Sequence, residues 1–123
     1  MKLYAVRILV DDWLAACDFY EQKLGLTLEF KDESFGWAEF DVGGGAKFGI
    51  ERVDADASSE DKALVGRFLA VSLQVDNVQS TYEELSAKGV EFASLPAKQD
   101  WGGTLANIKD PSGNIITLMS ENR

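Results

Sequence analysis

Residues 5–16 read AVRILVDDWLAA, and residues 70–81 read AVSLQVDNVQST. Ala, Val, Val and Asp recur in place at a spacing of 65 residues, and such self-similarity is the first sign of a repeated architecture. Each copy starts as a strand: Val6, Ile8 and Val10 alternate with other residues, as do Val71, Leu73 and Val75. Each then reaches a pair suited to a helix N-cap, Asp11-Asp12 and Asp76-Asn77. The helices that follow, WLAACDFYEQKLG and VQSTYEELSAKG, close on Lys23-Leu24-Gly25 and Lys88-Gly89. A basic residue suits the negative end of the helix dipole, and glycine suits a left-handed C-terminal cap.

The two halves also end alike. LTLEFK (26–31), GWAEFDV (36–42) and GGGAKFGIERV (43–53) follow the first helix. VEFA (90–93), GTLANIKD (103–110) and PSGNIITLM (111–119) follow the second. Gly43-Gly44-Gly45 and Asp110-Pro111-Ser112-Gly113-Asn114 are turn sequences between strands. Each half is therefore strand, helix, strand, strand, strand. The expected organisation is one domain over 1–123, with module one at about 3–53 and module two at about 68–120. A polar, acidic linker spans about 54–67.

Composition narrows the chemistry. The 123 residues carry 12 Lys+Arg against 21 Asp+Glu, a net charge of −9. That balance argues against a phosphate-backbone partner and against an anionic membrane surface. There is no His and one Cys, so imidazole bases, imidazole ligands, thiolate cages and an intrachain disulfide are all excluded. The opening MKLYAVRILV is interrupted by Arg7 and too short for a signal peptide. No stretch reaches the length of a membrane span, and the expected setting is cytoplasmic.

The pattern resembles the vicinal-oxygen-chelate superfamily of glyoxalases, bleomycin-resistance proteins and extradiol dioxygenases. Phe19-Tyr20 with Leu24-Gly25-Leu26, Val75-Asp76-Asn77, Leu85 to Val90, Trp101-Gly102-Gly103 and Asp110 to Ile115 carry the resemblance. It implies an α+β fold of two tandem βαβββ modules forming a curled mixed sheet. A concave cup would hold a small-molecule ligand, with helices on the convex side. It also implies a homodimer. The superfamily's metal enzymes hold an ion on the first and last strand of each module. The matching positions here are Ala5, Gly49, Ala70 and Thr117, three of them without a ligand atom and the last a poor ligand. A two-residue slip in the first module puts Glu51 at its position instead. No metal and no cofactor is expected.

Strand period two then assigns the cup-facing side chains. Ala5, Arg7 and Leu9 face the cup from the first strand, and Trp37, Glu39 and Asp41 from the third. Lys47, Gly49 and Glu51 face it from the fourth, with Glu29 a further acidic neighbour. Ala38, Phe40, Val42, Phe48 and Ile50 fall on the helix side. The second module offers Ser72, Gln74, Ile115, Thr117 and Met119, and Leu105 with Asn107 from an ambiguous strand. The resemblance implies that Trp101, in the loop before the seventh strand, borders the rim. Trp13, Phe19, Tyr20 and Cys17 read as packing residues.

An aromatic plate beside carboxylates suits a planar or cationic guest. The ligand-binding set is Arg7, Trp37, Glu39, Asp41, Glu51, Trp101, Asn107 and Thr117. The expected function is metal-free sequestration or sensing of such a compound, in the manner of antibiotic resistance. Trp37 is equally compatible with packing, and Arg7 with neutralising Glu39 or Glu51. The alternative is an enzyme of the superfamily using a carboxylate base, or a non-standard metal site.

Overall fold

A computed structural model describes residues 1–121. The chain divides into two compact units, 1–66 and 67–123. Each unit has the order strand, helix, strand, strand, strand, and the first adds a short helix after its last strand.

In the first unit, β1 (Ala5–Val10) leads into α1 (Trp13–Asp18), followed by β2 (Thr27–Asp32), β3 (Trp37–Asp41) and β4 (Lys47–Arg52). The sheet order is β1-β4-β3-β2. β1 pairs parallel with β4, and the other neighbours are antiparallel. Asp12 caps α1 by accepting from the Ala15 N–H at 3.1 Å, which satisfies one of the donors a helix start leaves open.

The first helix is not uniform as its sequence suggests. Beyond Asp18 it widens into a π-helical turn over Phe19–Lys23, with the Leu24 N–H donating to the Phe19 carbonyl at 3.0 Å. The adjacent Phe19 and Tyr20 on this turn are both buried. The Tyr20 ring meets Phe19 at 5.1 Å and Phe48 at 5.3 Å, both edge-on. Gly25 then ends the helix at φ +74, a left-handed conformation that costs glycine little.

Trp13, Ala16 and Cys17 bury against Ile8, Val10, Ala38, Phe40, Phe48 and Ile50 in the core on this face of the sheet. Trp13 Nε1 donates to the Ile50 carbonyl at 3.1 Å, so the indole is both packed and satisfied. Val42 departs from expectation. It lies past the end of β3 and is exposed, because the glycine turn begins there.

The segment read as a linker is not featureless. It carries a one-turn helix, α2 (Ser59–Lys62), capped by the Ser58 side chain accepting from the Asp61 N–H at 3.1 Å.

The second unit runs β5 (Phe68–Gln74), α3 (Val78–Ala87), β6 (Glu91–Lys98), β7 (Thr104–Lys109) and β8 (Ile115–Ser120). Its order is β5-β8-β7-β6, with β5 parallel to β8. Asn77 caps α3 through the Ser80 N–H at 2.9 Å. Val78 and Leu85 bury with Ala106, Ile108, Ile116 and Leu118. β6 runs on to Lys98 instead of ending near 93. Two register shifts, at Phe92/Ser94 and Ser94/Ala97, carry it past Pro96, since proline donates no ladder bond and is tolerated at bulges. The turn before β8 is held by Asp110, whose Oδ1 accepts from the Ser112 and Asn114 N–H groups. Asn114 is fully buried and donates to Asp110 Oδ2 at 3.0 Å. No helix among the described residues is long and apolar enough to cross a membrane.

Candidate functional site

The first sheet presents three cross-strand rows on the face away from α1. Ala5, Lys47 and Asp41 form one row, Arg7, Gly49 and Glu39 the next, and Leu9, Glu51 and Trp37 the third. Five of the residues singled out from the sequence thus share one face: Arg7, Trp37, Glu39, Asp41 and Glu51. The alternation that placed them is the pleat itself, because their strand neighbours Ile8, Ala38, Phe40 and Ile50 are all buried on the other side.

Trp37 sets the shape of this face. Its six-membered ring lies over Gly49, so close that a Cβ there would overlap it. Trp37 Nε1 donates to Glu39 Oε1 at 3.0 Å, and the Tyr4 hydroxyl donates to the same oxygen at 2.9 Å. The Glu39 carboxyl is held below its ordinary value by the Trp37 bond first, with Tyr4 and Lys47 adding to it against partial burial. Tyr4 is shifted the opposite way, upward, by donating to Glu39, so the phenol keeps its proton. Tyr4 escaped the sequence reading because it lies one residue ahead of β1 and period two sends it to the helix side.

The remaining charges pair locally. Arg7 makes a fork onto Glu51, Nε to Oε1 at 2.7 Å and Nη2 to Oε2 at 2.8 Å. That settles which carboxylate Arg7 meets, and the bidentate geometry fixes both side chains. Lys47 Nζ reaches Glu29 at 2.8 Å. Asp41 is exposed, and its Oδ1 accepts from the Gly43 N–H at 3.0 Å. Beside the Arg7–Glu51 pair a cavity of about 260 Å³ opens toward the α2 segment. Leu9, Arg52, Val53, Asp54, Ala57, Asp61 and Leu64 complete its lining.

In the second unit, Ser72, Thr117 and Asn107 form one cross-strand row away from α3. The Thr117 hydroxyl donates to Asn107 Oδ1 at 2.7 Å, so these two predicted residues are in contact. The register of β7, ambiguous from sequence, places Leu105 and Asn107 opposite Met119 and Thr117. Trp101 lies in the turn between β6 and β7, with its ring packed over Gly103 and about half of its surface exposed. Ala70 sits at φ +56, where the β5–β8 register breaks between Phe68 and Ser72.

The residues at the superfamily's metal positions do not fit a divalent cation. Ala5 and Ala70 bring no donor, Gly49 is roofed by the Trp37 ring, and the Thr117 hydroxyl is bonded to Asn107. Glu51, reached by the alternative register, has both oxygens on Arg7. Among the described residues no cluster of three or more His, Cys, Asp or Glu side chains is arranged to hold a metal.

A family model described as the Glyoxalase/Bleomycin resistance protein/Dioxygenase superfamily matches residues 2–118. The chain belongs to that superfamily. The uncharacterized protein YraH of Bacillus subtilis (strain 168) is 31% identical over 128 residues, covering 96% of this chain and 97% of its own. Among solved structures, the chain is similar to TnmS3, an antibiotic binding protein from Streptomyces sp. CB03234. That similarity has a TM-score of 0.73 and 25% identity, covering 99% of this chain and 97% of TnmS3. It is also similar in fold to the lactoylglutathione lyase of Agrobacterium tumefaciens, with a TM-score of 0.72 and 19% identity. There the match covers 97% of this chain and 92% of that one.

Proposed function

We propose that this chain is a small-molecule-binding protein of the metal-free, bleomycin-resistance type that sequesters or senses a planar or cationic compound. The observation that carries the reading is the Trp37 plate. One ring face is set on Gly49, and its N–H is bonded to an ionised Glu39. A half-buried indole fixed by its own hydrogen bond is preorganised to stack, and carboxylates beside it favour a positive guest. TnmS3, which binds an antibiotic, supports the reading by analogy. Arg7, Trp37, Glu39, Asp41 and Glu51 are the contacts proposed for the first module, and Trp101, Asn107 and Thr117 those for the second. In this reading the chain is a single domain, modules at about 3–53 and 68–120, that works as a homodimer in the cytoplasm.

A carboxylate acting as general base is the enzymatic alternative, and Glu39 is shifted away from it. A base needs a pKa raised toward neutrality, whereas Glu39 is lowered.

A thermal-shift panel of cationic aromatic compounds tests the proposal. Binding at a hundredfold excess over Kd adds about 2.7 kcal/mol of stability, a rise in Tm of several degrees that Trp37→Leu abolishes. A panel with no shift, or a shift that survives Trp37→Leu, overturns it. So does elemental analysis finding about one transition-metal ion per purified chain.

A further inference from the structure

We infer that the cavity beside Arg7 and Glu51 is an ammonium subsite. The guest it fits is a planar aromatic ring bearing a pendant amine on a short aliphatic arm. The inference rests on the binding reading above and names the chemistry of that same face.

The size of the cavity comes first. At about 260 Å³ it falls below the roughly 300–1,000 Å³ of sites that enclose a whole drug-sized ligand. It takes an arm and leaves the ring outside. Trp37 stands where that ring would lie: it is the direct cross-strand partner of Glu51, and Glu51 is a wall of the cavity. The aromatic plate and the cavity are therefore adjacent parts of one surface within the first module.

The charges decide what the arm carries. Two guanidinium groups line the cavity, and each is held by its own carboxylate. Arg7 forks onto Glu51. Arg52 donates through Nε to Asp54 at 2.8 Å and through Nη1 to the Glu33 carbonyl at 2.9 Å. Asp61 is the fifth charged residue of the lining, and no cation pairs with its carboxylate among the described residues. With the pairs neutralised internally, Asp61 leaves the cavity with a charge of one negative unit. Leu9, Val53, Ala57 and Leu64 supply apolar wall for methylene groups. One carboxylate without a cationic partner, on a lining that also carries these apolar side chains, matches one ammonium on an alkyl arm.

Asp61 comes from the segment that reads as a linker in sequence. The Ser58 cap that starts α2 donates order to this residue directly, since the Ser58 oxygen accepts from the Asp61 N–H. The segment is thus placed to contribute to recognition as well as to connection.

Isothermal titration of the full chain with naphthylethylammonium, its N-acetylated amide and naphthylacetate tests the inference. The ammonium binds at least about tenfold more tightly than the amide, as expected for one charge-assisted hydrogen bond, and the acetate binds most weakly. Asp61→Asn removes the tenfold preference and leaves amide binding unchanged. Trp37→Leu weakens the ammonium and the amide alike. If Trp37→Leu weakens binding but the ammonium and amide bind equally, or Asp61→Asn leaves their ratio intact, the ammonium subsite is wrong and the stacking face stands. Tighter binding of the acetate identifies an anion site and also overturns the inference. If no probe binds with a Kd below about 1 mM, or Trp37→Leu changes nothing, both readings fall.

Discussion

Gly49 and Glu39 show how much a single residue decides on the first sheet. Gly49 has an ordinary strand conformation, so its role is purely one of space: Trp37 occupies the volume a side chain would take. Gly49→Ala forces the indole off its seat or the strands apart, and overpacking of that kind costs about 1–3 kcal/mol. Urea denaturation checks the loss, and Gly49→Ala combined with Trp37→Ala recovers part of it. Glu39 carries a pH dependence. Its folded pKa lies below the ordinary 4.5, so its contribution is complete above that value and is lost as pH falls through the folded pKa. Wild type is therefore more stable than Glu39→Gln at pH 7, and the difference shrinks on acidification below about 4.5. A denaturation series across pH measures it, and a gap that widens on acidification contradicts the assignment. Period two placed both residues on the correct face from sequence alone. It did not reveal the hydrogen bond from Tyr4, which belongs to a residue outside the strand, nor which partner Arg7 takes.

The departures among the elements all occur where local pattern carries no information about hydrogen-bond register. The apolar spacing of WLAACDFYEQK is compatible with an α-helical or a π-helical turn, and the chain adopts the wider one over Phe19–Lys23. The strand read at VEFA (90–93) continues through Pro96 to Lys98 on two register shifts that side-chain alternation does not announce. The one-turn helix at Ser59–Lys62 has no buried residue, so no hydrophobic period announces it. By contrast, Asp12 and Asn77 cap their helices as the sequence indicates. β5 contains the one backbone outlier among the described non-glycine residues, Ala70 at φ +56. A left-handed alanine costs about 1–2 kcal/mol, and glycine at the same place gives back part of that through its greater unfolded-state entropy. Ala70→Gly is expected to stabilise the protein by about 0.5–1 kcal/mol, read as a shift in urea midpoint at unchanged slope. A destabilised variant means that the methyl group itself is packed.

At the scale of the whole chain, the internal repeat was the most legible feature, because a 65-residue spacing repeats strand, cap, helix and glycine together. Its two halves nevertheless differ in what they bury. The first fills its core with aromatic rings, and the second with aliphatic side chains. The aromatic plate follows the same asymmetry, since Trp37, Tyr4 and the Arg7–Glu51 fork beside them belong to the first half, whereas ion pairs occur in both halves. The net charge of −9 acts on all approaching solutes. Acidic surfaces raise the local concentration of cations, and salt screens the effect over a Debye length of about 10 Å at 0.1 M. Association of naphthylethylammonium is therefore expected to slow severalfold between about 0.05 and about 0.5 M NaCl. Stopped-flow kinetics would show it, and a rate independent of salt would mean that the charge guides no ligand.

The seating of Trp37 on Gly49 also has an evolutionary consequence. A side chain at position 49 and an indole at position 37 compete for the same volume, so neither can change alone without a clash or a void. Descent should therefore treat the two positions as one character. Relatives with a larger residue at 49 should carry a smaller one at 37. A lineage moving between an aromatic face and a side-chain ligand at this spot must cross both substitutions together.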